Sequence, residues 1–226
     1  MKSNALVLFD IDGTLLRRAG PHHREALVDA VRDVTGLETT TDHIPVHGML
    51  DPDILSRMMR DAGASAACIR RNLPAIMRRA QSIYLRRCPD LQKKTCPGVR
   101  RLLYGLQRRR VPVGLVTGNL TRIGWKKMEQ AALRHYFRFG MFAEMAPDRT
   151  RLARMAIEHA RRARWIDASS QVSLIGDAPS DIIAAHANGA RAVAVHTGIS
   201  TREELAALQP DLLVEDLRAI RVDMLL

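Results

Sequence analysis

Aromatic residues make up only 4% of this 226-residue chain, so it carries no aromatic-studded surface of the kind on which single-stranded nucleic acids stack. Cysteine is nearly absent. Cys68, Cys88 and Cys96 are an odd number without metal-type spacing, which fits a reducing compartment and no disulfide framework. Lysine stands only at positions 2, 93, 94, 126 and 127, so all but five of the 35 basic residues are arginine. No apolar run is long enough to span a bilayer. Met1, Lys2, Ser3 and Asn4 lead straight into an apolar segment without signal-peptide architecture. A cytoplasmic protein with no membrane partner is the expectation, as a monomer or homodimer.

What is present suffices for a large core: 46% of residues are hydrophobic, enough for one large domain or two modest ones. The net charge of +11 is carried by short arginine clusters such as Arg70-Arg71, Arg78-Arg79 and Arg108-Arg109-Arg110. They fall on helical stretches, where they form an outer face. A nucleic-acid-binding protein using this basic surface is the non-enzymatic alternative; a field that favours small anionic substrates is the other use of the charge.

The apolar run Leu6-Val7-Leu8-Phe9 ends in Asp10-Ile11-Asp12-Gly13-Thr14. An extended segment places Asp10 and Asp12 on one face, and two close carboxylates repel unless a cation, a shared proton or separate duties justify them. Helical spacing follows at Ala26, Leu27, Ala30, Val31 and Val34, ending at Gly36. A second helix begins at Asp53 and stops near Gly63. A third carries the stripe Ile69, Leu73, Ile76, Met77, Ala80, Ile83 and Tyr84, and Pro74 within it predicts a kink or break near Asn72. No strand candidate lies between Leu16 and Val111, so residues 17–95 read as an all-helical module inserted into residues 1–16 and 96–226.

From Pro97 onward helix and strand alternate, with strands at 111–117, 172–176, 192–195 and 212–214 and a short apolar stretch at 139–142. Apolar strands alternating with amphipathic helices predict an α/β core with a Rossmann-like parallel sheet covered on both faces. Such sheets bind ligands at the carboxyl ends of their strands. Three of those ends carry polar residues: Asp10-Ile11-Asp12-Gly13-Thr14, Thr117-Gly118-Asn119 at the start of a helix, and Gly176-Asp177-Ala178-Pro179-Ser180-Asp181. The second is an anion site by helix dipole and free N–H groups. Four converging carboxylates call for a hard cation, and oxygen ligands favour Mg²⁺. Metal, anion pocket and free carboxylate together suit phosphoryl transfer. Thr117 and Asp181 also suit helix capping.

Asp-x-Asp-Gly-Thr, Thr-Gly-Asn and Gly-Asp-x-x-x-Asp, in this order after successive strands, resemble motifs I, II and IV of the haloacid dehalogenase superfamily, over essentially the whole chain. The helical insert resembles the C1 cap of its phosphoglycolate phosphatase and β-phosphoglucomutase branch, and Pro97-Gly98-Val99 with Leu115 to Asn119 looks most like the phosphatase side. The resemblance implies Asp10 as nucleophile and Asp12 as general acid–base. Mg²⁺ is then held by Asp10, the backbone carbonyl of Asp12 and Asp177, with Asp181 in support. Thr117, Gly118 and Asn119 would bind the phosphoryl oxygens of a small phosphorylated metabolite. The implied activity is a Mg²⁺-dependent phosphatase acting through an aspartyl-phosphate, with a β-phosphoglucomutase-type phosphomutase as alternative. The family's third motif, often Lys-Pro, is missing; Arg149 is the best candidate and Arg151 its competitor, while Lys126 and Lys127 read as solvated. The cap segment His47 to Asp51 is expected to choose the substrate. Met49 stands where relatives often carry a cation, and His22, His23 and Arg24 lie near the first hinge, able to face the crevice although residues of these types near loops are more often surface residues than ligands.

Overall fold

The computed structural model describes residues 2–17 and 20–226; Arg18 and Ala19, inside the expected cap, and Met1 lie outside the described residues. β1 (Ala5–Phe9) is followed by three helices, α1 (His22–Thr35), α2 (Asp51–Asp61) and α3 (Ala66–Arg87). The rest alternates: α4 (Val99–Arg108), β2 (Val113–Val116), α5 (Thr121–Gln130), β3 (Phe139–Met141), α6 (Arg149–Arg162), β4 (Gln171–Gly176), α7 (Pro179–His186), β5 (Arg191–Val195), α8 (Arg202–Ala206) and β6 (Leu212–Val214). The six strands form one sheet of order β3-β2-β1-β4-β5-β6, parallel throughout. The expected α/β class with a Rossmann-like sheet is the fold observed.

Alternation along β1 decides what each face buries. Ala5, Val7 and Phe9 pack with Leu102, Leu103 and Leu106 of α4, whereas Leu6 and Leu8 pack with Leu152 and Ala156 of α6 and Ile182 of α7. Both faces are apolar because both are covered by helices. A third core joins Ala26, Leu27, Ala30 and Val31 of α1, Leu55, Met58 and Met59 of α2, and Ile76, Ala80, Ile83 and Tyr84 of α3, with Leu120 and Ile123 reaching it from α5. Arg79–Asp33 and Arg87–Asp29 ion pairs clamp α3 to α1, so part of the arginine surplus serves the insertion itself.

Of the kink or break expected near Asn72, the break does not occur: α3 runs from Ala66 to Arg87 through Pro74. Its apolar stripe packs on α1 and α2 along the whole length, and that packing outweighs the local loss of one backbone donor. Between Leu16 and Val111 the described residues form no strand, only an isolated bridge that joins Leu16 to Thr95 where the chain leaves and re-enters the core.

Candidate active site

Strand register builds the site. Phe9 pairs with Ile175 and with Leu115, so the residues just past these three strands emerge side by side. The backbone N–H of Asp10 donates to the Ile175 carbonyl at 3.0 Å, and that of Thr117 to Met141 at 3.1 Å. β1 stops at Phe9, which leaves both Asp10 and Asp12 in the turn beyond its carboxyl end. Both line a cavity of about 600 Å³ between the sheet and the helical insertion, together with Gly118, Asn119, Arg149 and Asp177 from the core and Arg24, His47 and Met49 from the insertion.

Asp10, Asp177 and Asp181 are buried, and each offers an oxygen within 4.8 Å of the others. Arg149 is the counter-ion. Its Nη1 donates to Asp10 Oδ1 at 2.8 Å and to the Val116 carbonyl at 3.2 Å, and lies 2.9 Å from Asp181 Oδ1. Arg151, the competing candidate, lends its backbone N–H to Asp148 at the start of α6 and lies on the exposed side of that helix. One guanidinium against three carboxylates leaves negative charge in surplus. Burial, then the charges of Asp10 and Asp181, hold Asp177 well above the usual carboxylate range. Burial also raises Asp181, against Arg149 and with Asp10, to about 7. For Arg149, burial opposes the charge but Asp181 and Asp10 outweigh it and push its pKa above the ordinary value.

The donor set fits a hard divalent cation. Asp177 Oδ2 and Asp181 Oδ1 are buried without a hydrogen-bond partner, and the single guanidinium beside Asp181 Oδ1 does not offset three carboxylates, a state that a hard cation relieves. The cradle is narrow. A Cβ on Gly198 would meet Asp177 Oδ2 at 1.7 Å and one on Gly13, at φ +87°, at 2.1 Å, so both positions need glycine. Thr14 Oγ1 donates to Asp177 Oδ1 at 2.9 Å and orients it. Asp181 does take part in capping, its Oδ2 accepting from the Ala178 N–H at 3.1 Å, while its other oxygen faces the cluster.

The anion site expected at the start of α5 has a different construction. The first N–H groups of that helix are already taken: Leu120 donates to Asp51 Oδ2 at 2.8 Å, Thr121 to Glu144 and Arg122 to Gln81 Oε1 at 2.9 Å. Thr117 does not cap the helix either. Its buried hydroxyl accepts from the Asn119 side-chain amide at 2.8 Å. Besides the buried Nε of Arg149, the Gly118 N–H and Arg149 Nη2 remain without a partner among the described residues. They are neighbours, since a Cβ on Gly118 would stand 3.3 Å from Nη2. On its other side the Met49 carbonyl would lie 2.2 Å from that Cβ, so only glycine lets the insertion close over this turn.

Asp12 stands outside the three-carboxylate cluster, its side chain 43% exposed to the cavity. Its environment corrects the expectation for Lys127, which is not solvated but 1% exposed, with Nζ 2.6 Å from Asp12 Oδ2. The stripe Leu120, Ile123, Lys127 follows the inward face of α5, so the spacing held the signal although the residue type argued against it. Burial works against the Asp12 charge, but Lys127 and His23 outweigh it and lower its pKa. Lys126 is half-buried. His23 reaches the cavity with Nε2 3.1 Å from Asp51 Oδ2. Asp51, read from sequence only as the end of the specificity segment, is buried, and its N–H donates to the Gly118 carbonyl at 2.8 Å. His47 lies 2.8 Å from Ser200 Oγ and 3.6 Å from Asp177 Oδ2.

Comparison with known proteins agrees with this architecture. Residues 148–220 match a family model described as HAD-hydrolase-like. The phosphoglycolate phosphatase of Pseudomonas syringae pv. tomato is 26% identical over 225 residues, covering 95% of this chain and 78% of that protein. The phosphoglycolate phosphatase of Pseudomonas putida is 27% identical over 222 residues with the same coverage. Among solved structures, β-phosphoglucomutase from Clostridium difficile superposes with a TM-score of 0.71 at 16% identity, over 97% of this chain and 94% of that one. A predicted phosphoglycolate phosphatase from Haemophilus somnus gives 0.69 at 19% identity, over 99% and 97%. No helix among the described residues is long and apolar enough to cross a membrane. With the motif order, the sheet topology and these relatives in agreement, the chain is similar to the HAD-hydrolase-like family over residues 148–220 and, over nearly its whole length, to the phosphoglycolate phosphatases.

Proposed function

We propose that this phosphatase hydrolyses a small phosphomonoester, phosphoglycolate first, through an aspartyl-phosphate on Asp10, with residues 17–95 as the cap that encloses the substrate. The observation that carries the reading is the pair of unpartnered donors, the Gly118 N–H and Arg149 Nη2, beside the Asp10 carboxylate. Donors fixed in advance around a buried nucleophile suit a phosphoryl group whose charge must be held during transfer. In the first step an Asp10 oxygen forms a bond to phosphorus, the bond from phosphorus to the substrate oxygen breaks, and Asp12 gives that oxygen its proton. In the second, Asp12 takes a proton from water, the water oxygen bonds to phosphorus, and the bond to Asp10 breaks to release inorganic phosphate and regenerate both side chains. Asp10 and Asp177, with Asp181 in support and the Asp12 carbonyl, would hold Mg²⁺, which when bound neutralises charge on the carboxylates and on the phosphoryl oxygens.

Phosphoglycolate also needs a cation for its carboxylate. Met49 supplies none, but Arg24 lines the same cavity from α1 and makes no hydrogen bond to a described residue. Purified protein with Mg²⁺ is expected to release phosphate from 2-phosphoglycolate at a higher kcat/KM than from glycerol 3-phosphate or glucose 6-phosphate. Conversion of β-glucose 1-phosphate to glucose 6-phosphate without phosphate release, followed by chromatography, would replace this reading with a phosphomutase.

The cation has its own signature in stability. A carboxyl whose pKa is raised by folding keeps a proton that the unfolded chain has already released. Its contribution to stability therefore falls as pH rises from about 4, where unfolded carboxyls ionise, towards the value of about 7 held by folded Asp181. A divalent cation competes with those protons. Saturating Mg²⁺ is thus expected to raise the melting temperature by about 5 °C at pH 8 and by little at pH 5, relative to chelator. An equal shift at both pH values would detach cation binding from the buried carboxylates.

A further inference from the structure

Lys127 is the buried charge with no part in that mechanism. Its ammonium has three hydrogens and three nearby acceptors: Asp12 Oδ2 at 2.6 Å, Asn119 Oδ1 at 2.6 Å and His23 Nδ1 at 3.2 Å. A side chain so fully engaged has no donor left for a substrate, and phosphoryl charge is addressed by Arg149 instead. What it does fix is the carboxylate. Both Lys127 Nζ and Asn119 Nδ2, the latter at 2.8 Å, bind the same oxygen of Asp12, Oδ2. Oδ1 receives no hydrogen bond from a described residue, and the side chain opens to the cavity.

We infer that Lys127 is a positioning residue for Asp12: with Asn119 it pins Oδ2, so that Oδ1 alone presents the proton to the leaving oxygen, and it ties this orientation to the docked helical insertion through His23 and Asp51. The tie is continuous. With Nδ1 of His23 accepting from Lys127, its Nε2–H is free to donate to Asp51 Oδ2, 3.1 Å away. Asp51 in turn accepts from the Leu120 N–H and donates its own N–H to Gly118. An insertion lifted from the core would take His23 and Asp51 with it and leave Lys127 one acceptor short inside an apolar wall that includes Ile123 and Tyr84. This inference rests on the reading of Asp12 as acid–base.

The test compares leaving groups. An alkyl alkoxide needs a proton to depart and p-nitrophenolate does not, whereas both substrates use the same nucleophile and phosphate site. In Lys127→Met, kcat/KM is expected to fall by about 30-fold on 2-phosphoglycolate and by less than about threefold on p-nitrophenyl phosphate. Lys127→Arg should recover much of the loss on the alkyl substrate. His23→Asn, which leaves the lysine in place, should show a smaller loss with the same selectivity and serves if Lys127→Met does not fold. Asp12→Asn is the reference and should show the selectivity most strongly. A selective Asp12→Asn beside Lys127→Met and His23→Asn variants that slow both substrates equally overturns the inference and leaves the mechanism standing. An Asp12→Asn variant without selectivity overturns the mechanism, and the inference with it.

Discussion

Asp10→Asn is expected to abolish turnover, with a loss of about 10⁴-fold or more in kcat, while the metal-free protein melts no lower than the parent at pH 8. The two halves of this expectation have different physical origins. The first is chemical. The amide has nearly the size and shape of the carboxylate, and the bond from the residue's N–H to the Ile175 carbonyl keeps the backbone in register, but an amide is a poor nucleophile towards phosphorus. The second is electrostatic. Three buried carboxylates share one guanidinium, and Asp10 is among the causes that raise both Asp177 and Asp181. Removing its charge relieves that repulsion, and the relief offsets the lost ion pair between Asp10 and Arg149 at 2.8 Å. Phosphate release and thermal melts in chelator check both halves. A variant that keeps more than about 1% of parental activity would remove Asp10 from the nucleophile's role.

The contrast between what was legible in the sequence and what was not follows the range of the forces involved. Short apolar runs disclosed five of the six strands and marked the sixth, β3, as a short apolar stretch, because burial on both faces of a parallel sheet leaves a local trace. The pattern also placed Asp10, Gly118, Arg149 and Asp177 at strand or helix ends that the register then brings together. Contacts between the insertion and the core left no such trace. The start of α5 looks like an open anion site as sequence, yet Asp51, Gln81 and Glu144 reach its N–H groups from 69, 41 and 23 residues away. Lys127 looked solvated because lysine usually is; its acceptors come from Asp12, Asn119 and His23, on three different elements. Pro74 shows the same limit in reverse, a local tendency to end a helix that packing along α3 holds through without a break.

Arg149 separates charge from geometry, and its two substitutions are expected to differ accordingly. Nη1 is committed to the protein, bonded to Asp10 and Val116 and close to Asp181, whereas Nη2 stands free beside the Gly118 N–H. Lysine offers one charged nitrogen, which the carboxylates claim first. Arg149→Lys should therefore fold and melt near the parent but lose about 100-fold in kcat/KM, with weaker inhibition by inorganic phosphate, because the second arm of the fork is gone. Arg149→Ala removes both. Its loss should reach about 10³-fold or more, and stability should fall by about 3 kcal/mol at pH 8, since three buried carboxylates then have no counter-ion. The stability loss should shrink towards pH 5, where Asp177 and Asp181 hold their protons, and Mg²⁺ should restore part of it at pH 8 without restoring turnover. Melting curves at the two pH values, with phosphate-inhibition constants for each variant, decide the matter. An Arg149→Lys variant with parental phosphate affinity would show that the free arm of the guanidinium does not meet the phosphoryl group.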